Sequence, residues 1–320
     1  MSKFLDKIIE RAKTDKQKIV LPEGSDIRTV QAAREIMDAG IADVIILGSE
    51  SEVTAHGIDV SDAIIIDPRT SELLEPYAQK FAELRKKKGV TINEAREQMK
   101  DESYFGVMMV YMDDADGMVS GACHSTADTL RPALQILKTA PDTELVSSFF
   151  VEDVPDCLYG DDGLFVFADC ALNIYPTAEE LAEIAIASAN SFEQLCGGEP
   201  HVAMLSYSSY GSGKGESAEK MAEAIKTAFT EPRVSNSMAS CRSMPPSSIR
   251  LRLSRHLTPR SQVRQTSSSS PTSMRAISPT SSCSASPRPM PSVPSCRVWP
   301  SRSMTFLVAA RPRISLALSR

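Results

Sequence analysis

Acidic residues stop at Glu231 and lysines at Lys226, so from Pro232 onward this 320-residue chain has no carboxylate or ammonium side chain. That stretch carries fourteen arginines among serines and prolines, and the net charge of −6 is the sum of a body near −20 and a tail of +14. Cys-x-x-Cys pairs are also missing. Cys123, Cys157, Cys170 and Cys196 therefore read as buried thiols, not as metal ligands or disulfide partners, and no metal is expected. No apolar run reaches the roughly 18 to 20 residues that a bilayer-crossing helix needs. The first eleven residues read as an amphipathic helix with acids interspersed, unlike a secretory signal, and the cytoplasm is the expected location. The segment Ser206 to Gly215 lacks the Walker spacing: Ser208 stands where the first glycine belongs and Gly215 follows Lys214, which argues against a nucleoside triphosphatase.

What is present is a β-α rhythm. Lys18–Pro22, Asp43–Gly48 and Ala63–Pro68 are continuous β-branched runs, as expected of strands covered on both faces, and helical stretches separate them. Asp26 is placed to cap a helix over Ile27–Ala39. Between Thr70 and Lys100 two helices are expected, the first ending in Arg85-Lys86-Lys87-Lys88-Gly89, where cations and a glycine suit a helix C-terminus. Tyr104–Met112 reads as a buried helix with Met108 and Met109 as core filling. Further strands are expected over Leu145–Val151, Gly163–Asp169 and Val202–Ser206, with a helix over Thr177–Ser191 capped by Thr177. The fold class is α/β with mostly parallel sheets.

The chemical centre of the sequence is Met118 to Pro132. A short apolar run opens into Ser120-Gly121-Ala122-Cys123-His124-Ser125, and a helix starts near Thr126 with Arg131 in its second turn. Small residues let a ligand approach the backbone, hydroxyls and N–H groups donate, the helix N-terminus favours an anion, and Arg131 offers a planar fork to phosphate. The same residues would equally serve as an ordinary strand-to-helix turn. His124 is read as a hydrogen-bonded structural residue, with no catalytic role assigned.

Residues 120–132 resemble the substrate loop of phosphate acetyltransferases. The resemblance extends over about residues 1–229 and includes Glu83-Leu84-Arg85, Val154-Pro155-Asp156-Cys157 and Phe167-Ala168-Asp169. It implies two α/β/α domains similar to isocitrate/isopropylmalate dehydrogenases, here residues 1–143 and 144–230, incomplete at the C-terminus, and a homodimer for the intact protein. It implies reversible acetyl transfer between acetyl phosphate and coenzyme A, with coenzyme A a substrate and no cofactor. Arg85, Ser125, Thr126, Arg131, Ser206, Ser208, Gly211 and Ser212 are the implied substrate-binding residues. The family's general base is an aspartate that follows an Asn-Asp-Leu-Ser-Arg-Gly-Cys-Ser motif, and this chain has no such motif.

Composition alone makes residues 231–320 a Ser/Pro/Arg-rich disordered tail. Codons permitted for Arg264–Ser278, read one nucleotide earlier, can give Lys-Ala-Asn-Val-Phe-Ile-Phe-Pro-Asp-Leu-Asp-Ala-Gly-Asn-Ile, an apolar strand and an acidic turn. The same shift over Ser301–Ala310 can give Lys-Pro-Val-Asn-Asp-Leu-Ser-Arg-Gly-Cys, the missing motif, and Asn236–Ser248 similarly permits a Leu-Asp-Gly-Glu-Leu-Gln-Val text. A frameshift between about Phe229 and Ser235 accounts for all three, and the chain as written is then expected to be inactive, with no catalytic residue left to assign. Two other readings follow from what remains: a non-catalytic coenzyme A or phosphate binder, or a nucleic-acid binder using the +14 tail. The frame relation already explains the tail's composition, so no nucleic acid and no membrane partner is expected.

Overall fold

The computed structural model of the protein describes residues 3–139, 143–157, 159–206, 213–230 and 306–310. They divide into two compact units at the 140/141 junction, with residues 306–310 belonging to the first.

In the first unit, α1 (Lys3–Thr14) precedes β1 (Lys18–Leu21), α2 (Ile27–Ala39), β2 (Asp43–Leu47), α3 (Glu50–Thr54) and β3 (Ile64–Ile66). Then come α4 (Leu74–Leu84), α5 (Ile92–Gln98), α6 (Glu102–Tyr111), β4 (Gly117–Ser120) and α7 (Thr126–Ile136). A last strand, β7 (Phe306–Ala310), completes a sheet of order β3-β2-β1-β4-β7. The first four strands are parallel, with Val20 opposite Ile45 and Met118, and β7 runs antiparallel to β4.

Both faces of this sheet are covered. Val20, Ile45, Leu47 and Met118 face a core with Tyr77, Phe81, Phe105, Met108 and Ile136, whereas Leu21, Val44 and Ile46 face Val30, Ala33 and Val53. The pleat sends successive side chains to opposite faces, so a continuous apolar run is what such strands require. Helix α6 is buried from Ser103 to Val110. It lies so near the sheet that a Cβ on Gly106 would come within 2.7 Å of the Met118 sulfur. Local punctuation also holds: Asp26 accepts from the Arg28 N–H at the start of α2, and Gly40 closes that helix with φ 65°.

The second unit contains β5 (Phe149–Asp153) antiparallel to β6 (Leu164–Ala168), then α8 (Ala178–Cys196) and α9 (Glu216–Thr230), which pack together. Thr177 and Glu180 form the capping box of α8. Asp169 organises the turn after β6, accepting from the N–H groups of Ala171, Leu172 and Asn173 and from the Ser148 hydroxyl.

Three expectations change. The strand expected over Leu145–Val151 begins instead at Phe149, where pairing with β6 starts. Residues 202–206 form no strand; a short apolar run becomes a strand only where a neighbour completes its ladder. The expectation of a disordered tail fails at Phe306–Ala310, an apolar run that pairs with the open edge of β4. The rest of the tail lies outside the described residues.

Candidate functional site

Strands β1 and β4 are neighbours, so their carboxyl ends deliver two loops to the same edge of the sheet, the usual position for a ligand in a parallel α/β sheet. The loop after β1 supplies Glu23. Its side chain is only 2% exposed and runs into the loop after β4. One carboxylate oxygen accepts from the N–H groups of Gly121 (3.1 Å) and Ala122 (2.9 Å). The other accepts from Cys123 N (2.9 Å) and His124 N (3.0 Å) and lies 2.8 Å from His124 Nδ1. Gly121 makes this convergence possible with φ 117°, a backbone conformation that side-chain-bearing residues rarely adopt. Burial opposes the charge on Glu23, but hydrogen bonds from Cys123, Ala122 and His124 outweigh it and hold the carboxyl down at about 2.

The donor cradle legible in the sequence is therefore filled by the protein's own carboxylate. The reading of His124 as a hydrogen-bonded residue matches its contact with Glu23. Cys123 is exposed, against the expectation of a buried thiol, but partial desolvation beside Glu23, with the Glu23 charge added, pushes its thiol up to about 11, which keeps it protonated and a poor nucleophile at neutral pH.

Next to this cradle is a cavity of about 610 Å³ that brings together Arg85, Lys88, Ser103, Tyr104, His124 and Arg131. Arg85 is the residue at which α4 ends, before the turn Lys86–Lys88 closes on Gly89 with φ 77°. Its Nε is buried and has no hydrogen-bond partner, and the same is true of Ser103 Oγ at the start of α6. Arg131 projects from α7 and is exposed, with its guanidinium 3.1 Å from Asp128. Asp128, Glu94 and Asp101 also line the space, so an anion entering it meets carboxylates as well as cations. Two guanidiniums, one ammonium and an unsatisfied hydroxyl are the donor set for a phosphate group.

The other expected binding residues are placed as follows. Ser125 caps α7: its Oγ accepts from Asp128 N at 3.2 Å and donates to the Asp128 carboxylate at 2.6 Å. Thr126 opens the same helix and is not among the residues lining the cavity. Ser206 is exposed in the second unit. Ser208, Gly211 and Ser212 lie outside the described residues. Sequence reasoning does not reach Glu23 or Ser103; the signal for Glu23 is its place just past the carboxyl end of an apolar strand.

Residues 3–233 match the family described as Phosphate acetyl/butaryl transferase. A phosphate acetyltransferase of Acetivibrio thermocellus is 57% identical over 227 residues, covering 70% of this chain and 68% of the relative. A phosphotransacetylase structure from Streptococcus pyogenes superposes with a TM-score of 0.66 at 42% identity, over 72% of this chain and 70% of that one. The EutD phosphotransacetylase from Staphylococcus aureus gives 0.63 at 41% identity, over 71% and 68%. Among the described residues no helix is long and apolar enough to cross a membrane. The chain belongs to the phosphate acetyl/butaryl transferase family and is an acyltransferase by that membership.

Proposed function

We propose that the gene encodes a phosphate acetyltransferase whose Arg85–Arg131 cavity holds phosphate groups of the substrates, and that the chain as written has lost the catalytic half of its site. The observation that carries the reading is the convergence of Arg85 and Arg131 on one cavity of about 610 Å³, with Arg85 Nε buried and unpartnered. The reaction is direct attack: the coenzyme A sulfur bonds to the acetyl carbon, the carbon–oxygen bond to phosphate breaks, and phosphate leaves with the electron pair. A free thiol has a pKa of about 8.5, so a carboxylate base is needed to take its proton at neutral pH. That base belongs to the Asn-Asp-Leu-Ser-Arg region, which a one-nucleotide shift between about Phe229 and Ser235 removes from this text. The reaction calls for no resident cofactor or metal, and the intact protein acts as a cytoplasmic homodimer.

The test expresses the chain as written beside a gene with its frame restored, and follows acetyl-coenzyme A formation from acetyl phosphate and coenzyme A. The restored protein turns over, and the written chain is slower by at least about a hundredfold, the scale of losing a general base. Equal rates would overturn the assignment. In the restored protein, Arg85→Ala and Arg131→Ala each lower kcat/KM by about 10- to 100-fold, the scale of a lost charged hydrogen bond.

A second reading is favoured by one observation: every residue lining the cavity lies between positions 81 and 135 of the first unit. The written chain can then bind coenzyme A without turning it over. Calorimetry on the same preparation separates the two outcomes, since binding without turnover identifies a non-catalytic anion binder.

A further inference from the structure

Glu23, Cys123 and His124 are, among the described residues, a group of three side chains whose ligand atoms all lie within 4.8 Å of one another. Glu23 Oε1 is 2.8 Å from His124 Nδ1 and 3.6 Å from Cys123 Sγ, and Cys123 Sγ is 3.8 Å from His124 Nδ1. We propose that these three side chains form a zinc site at the junction of the β1 and β4 loops, with water in the fourth position.

The distances fit the ion. Tetrahedral zinc with Zn–S of about 2.3 Å and Zn–N and Zn–O of about 2.0 to 2.1 Å has sulfur-to-nitrogen and sulfur-to-oxygen edges of about 3.6 Å and a nitrogen-to-oxygen edge of about 3.3 Å. Both sulfur edges are already within about 0.2 Å of that geometry. The remaining edge opens by about 0.5 Å as the metal takes the place of the imidazole–carboxylate hydrogen bond.

The surroundings fit as well. The Gly121 and Ala122 N–H groups hold the carboxylate oxygen that stays off the metal, the kind of outer support that orients a metal-binding carboxylate. A thiolate, an imidazole and a carboxylate together suit zinc better than magnesium or calcium, which take oxygen. Cys123 is exposed and the His124 side chain is 30% exposed, which leaves an entry path and room for water.

The protons balance. Without metal, His124 Nδ1 donates to the Glu23 carboxylate, which can only accept; as the metal takes Nδ1 the ring proton moves to Nε2, the Cys123 thiol gives its proton to solvent, and one proton leaves per zinc bound. The metal ties the turn after β1 to the loop after β4. Because His124 also lines the arginine cavity, the ion sits at that cavity's wall. The zinc site does not rest on the acetyl-transfer reading.

The test uses the full chain, stripped of metal and titrated with Co²⁺ and then Zn²⁺. Co²⁺ gives a thiolate-to-cobalt charge-transfer band that one equivalent of Zn²⁺ removes. Cys123→Ser abolishes the band, and His124→Asn weakens Co²⁺ binding at least tenfold, with far-ultraviolet circular dichroism unchanged in both. No band in the parent protein overturns the site. A band that persists in Cys123→Ser also overturns it, since another thiol such as Cys241, Cys283 or Cys296 then holds the ion. A second measurement needs no variant: Zn²⁺ slows alkylation of Cys123, mapped by peptide mass, at least tenfold, and an unchanged rate overturns the proposal.

Discussion

The two units differ in how well they cover their own apolar surface. In the first, Val20, Val30, Ile46, Leu47 and Met118 are all 0% exposed, and helices close both faces of a parallel sheet. In the second, Ile174 is 82% exposed, Tyr175 79% and Phe167 48%. Its described strands are a single antiparallel pair, an arrangement that is marginal in water on its own. Nearly all of the first unit comes from residues before 140, whereas the second meets the break in composition at Pro232. These side chains are apolar surface of the kind that further packed elements cover.

The largest expected effect separates the units directly. Phe105 is fully buried and its ring centroid is 4.9 Å from that of Tyr77. Phe105→Ala therefore destabilises the first unit by about 3 to 5 kcal/mol, the usual loss for a buried aromatic. Phe150 in β5 is 36% exposed, and Phe150→Ala in the written chain costs under about 1 kcal/mol. Denaturant melts of both variants check this; comparable losses would mean that the second unit has a core of its own, and the contrast between the units would fail.

The sequence carried the first unit well because its signals are local. Apolar runs, Asp26 before α2 and Gly89 after the turn that ends α4 each act within a few residues. The site was legible only in part. Arg131 is legible behind the start of its helix and Arg85 only through resemblance, and nothing in their spacing brings two arginines on different helices to one cavity. The loop at residues 121–124 was legible as a set of anion donors, but the anion is Glu23, 98 to 101 residues away. Pairing over that distance depends on β1 and β4 being neighbours, and strand order leaves no mark in a local pattern. Ser103 was hidden for a different reason: one hydroxyl within an apolar helix looks like any tolerated serine until its missing partner is seen.

A smaller effect tests how tightly the first unit excludes water. Glu102 opens α6, and burial pushes its carboxyl up to about 7, with Arg69 and His124 opposing the shift and Glu52 and Asp101 reinforcing it. A carboxyl raised in the folded state stabilises fully below its unfolded value of about 4.5, and that contribution is lost as pH rises through about 7. Glu102→Gln removes the loss. The variant should match the parent near pH 4 and be more stable by about 2 kcal/mol at pH 8, a figure reduced for partial solvent exposure. Melts across that range decide it, and a pH-independent difference would show that Glu102 is as well hydrated folded as unfolded.

The smallest effect bears on Ser125, which the sequence offers as a phosphate ligand and the structure uses as a helix cap. Both of its hydroxyl contacts go to Asp128, and Asp128 in turn meets Arg131. Ser125→Ala therefore costs about 1 kcal/mol of stability in the first unit, the ordinary value of an N-cap. Ser125→Asn, which can cap in the same way, should recover most of that loss. Affinity for coenzyme A separates the two roles: a cap leaves it within about twofold in both variants, whereas a ligand loses about tenfold in Ser125→Ala even where stability is restored by cold or osmolyte. If the tenfold loss is found, Ser125 leaves Asp128 when substrate arrives, and Arg131 is released from its carboxylate by the same step.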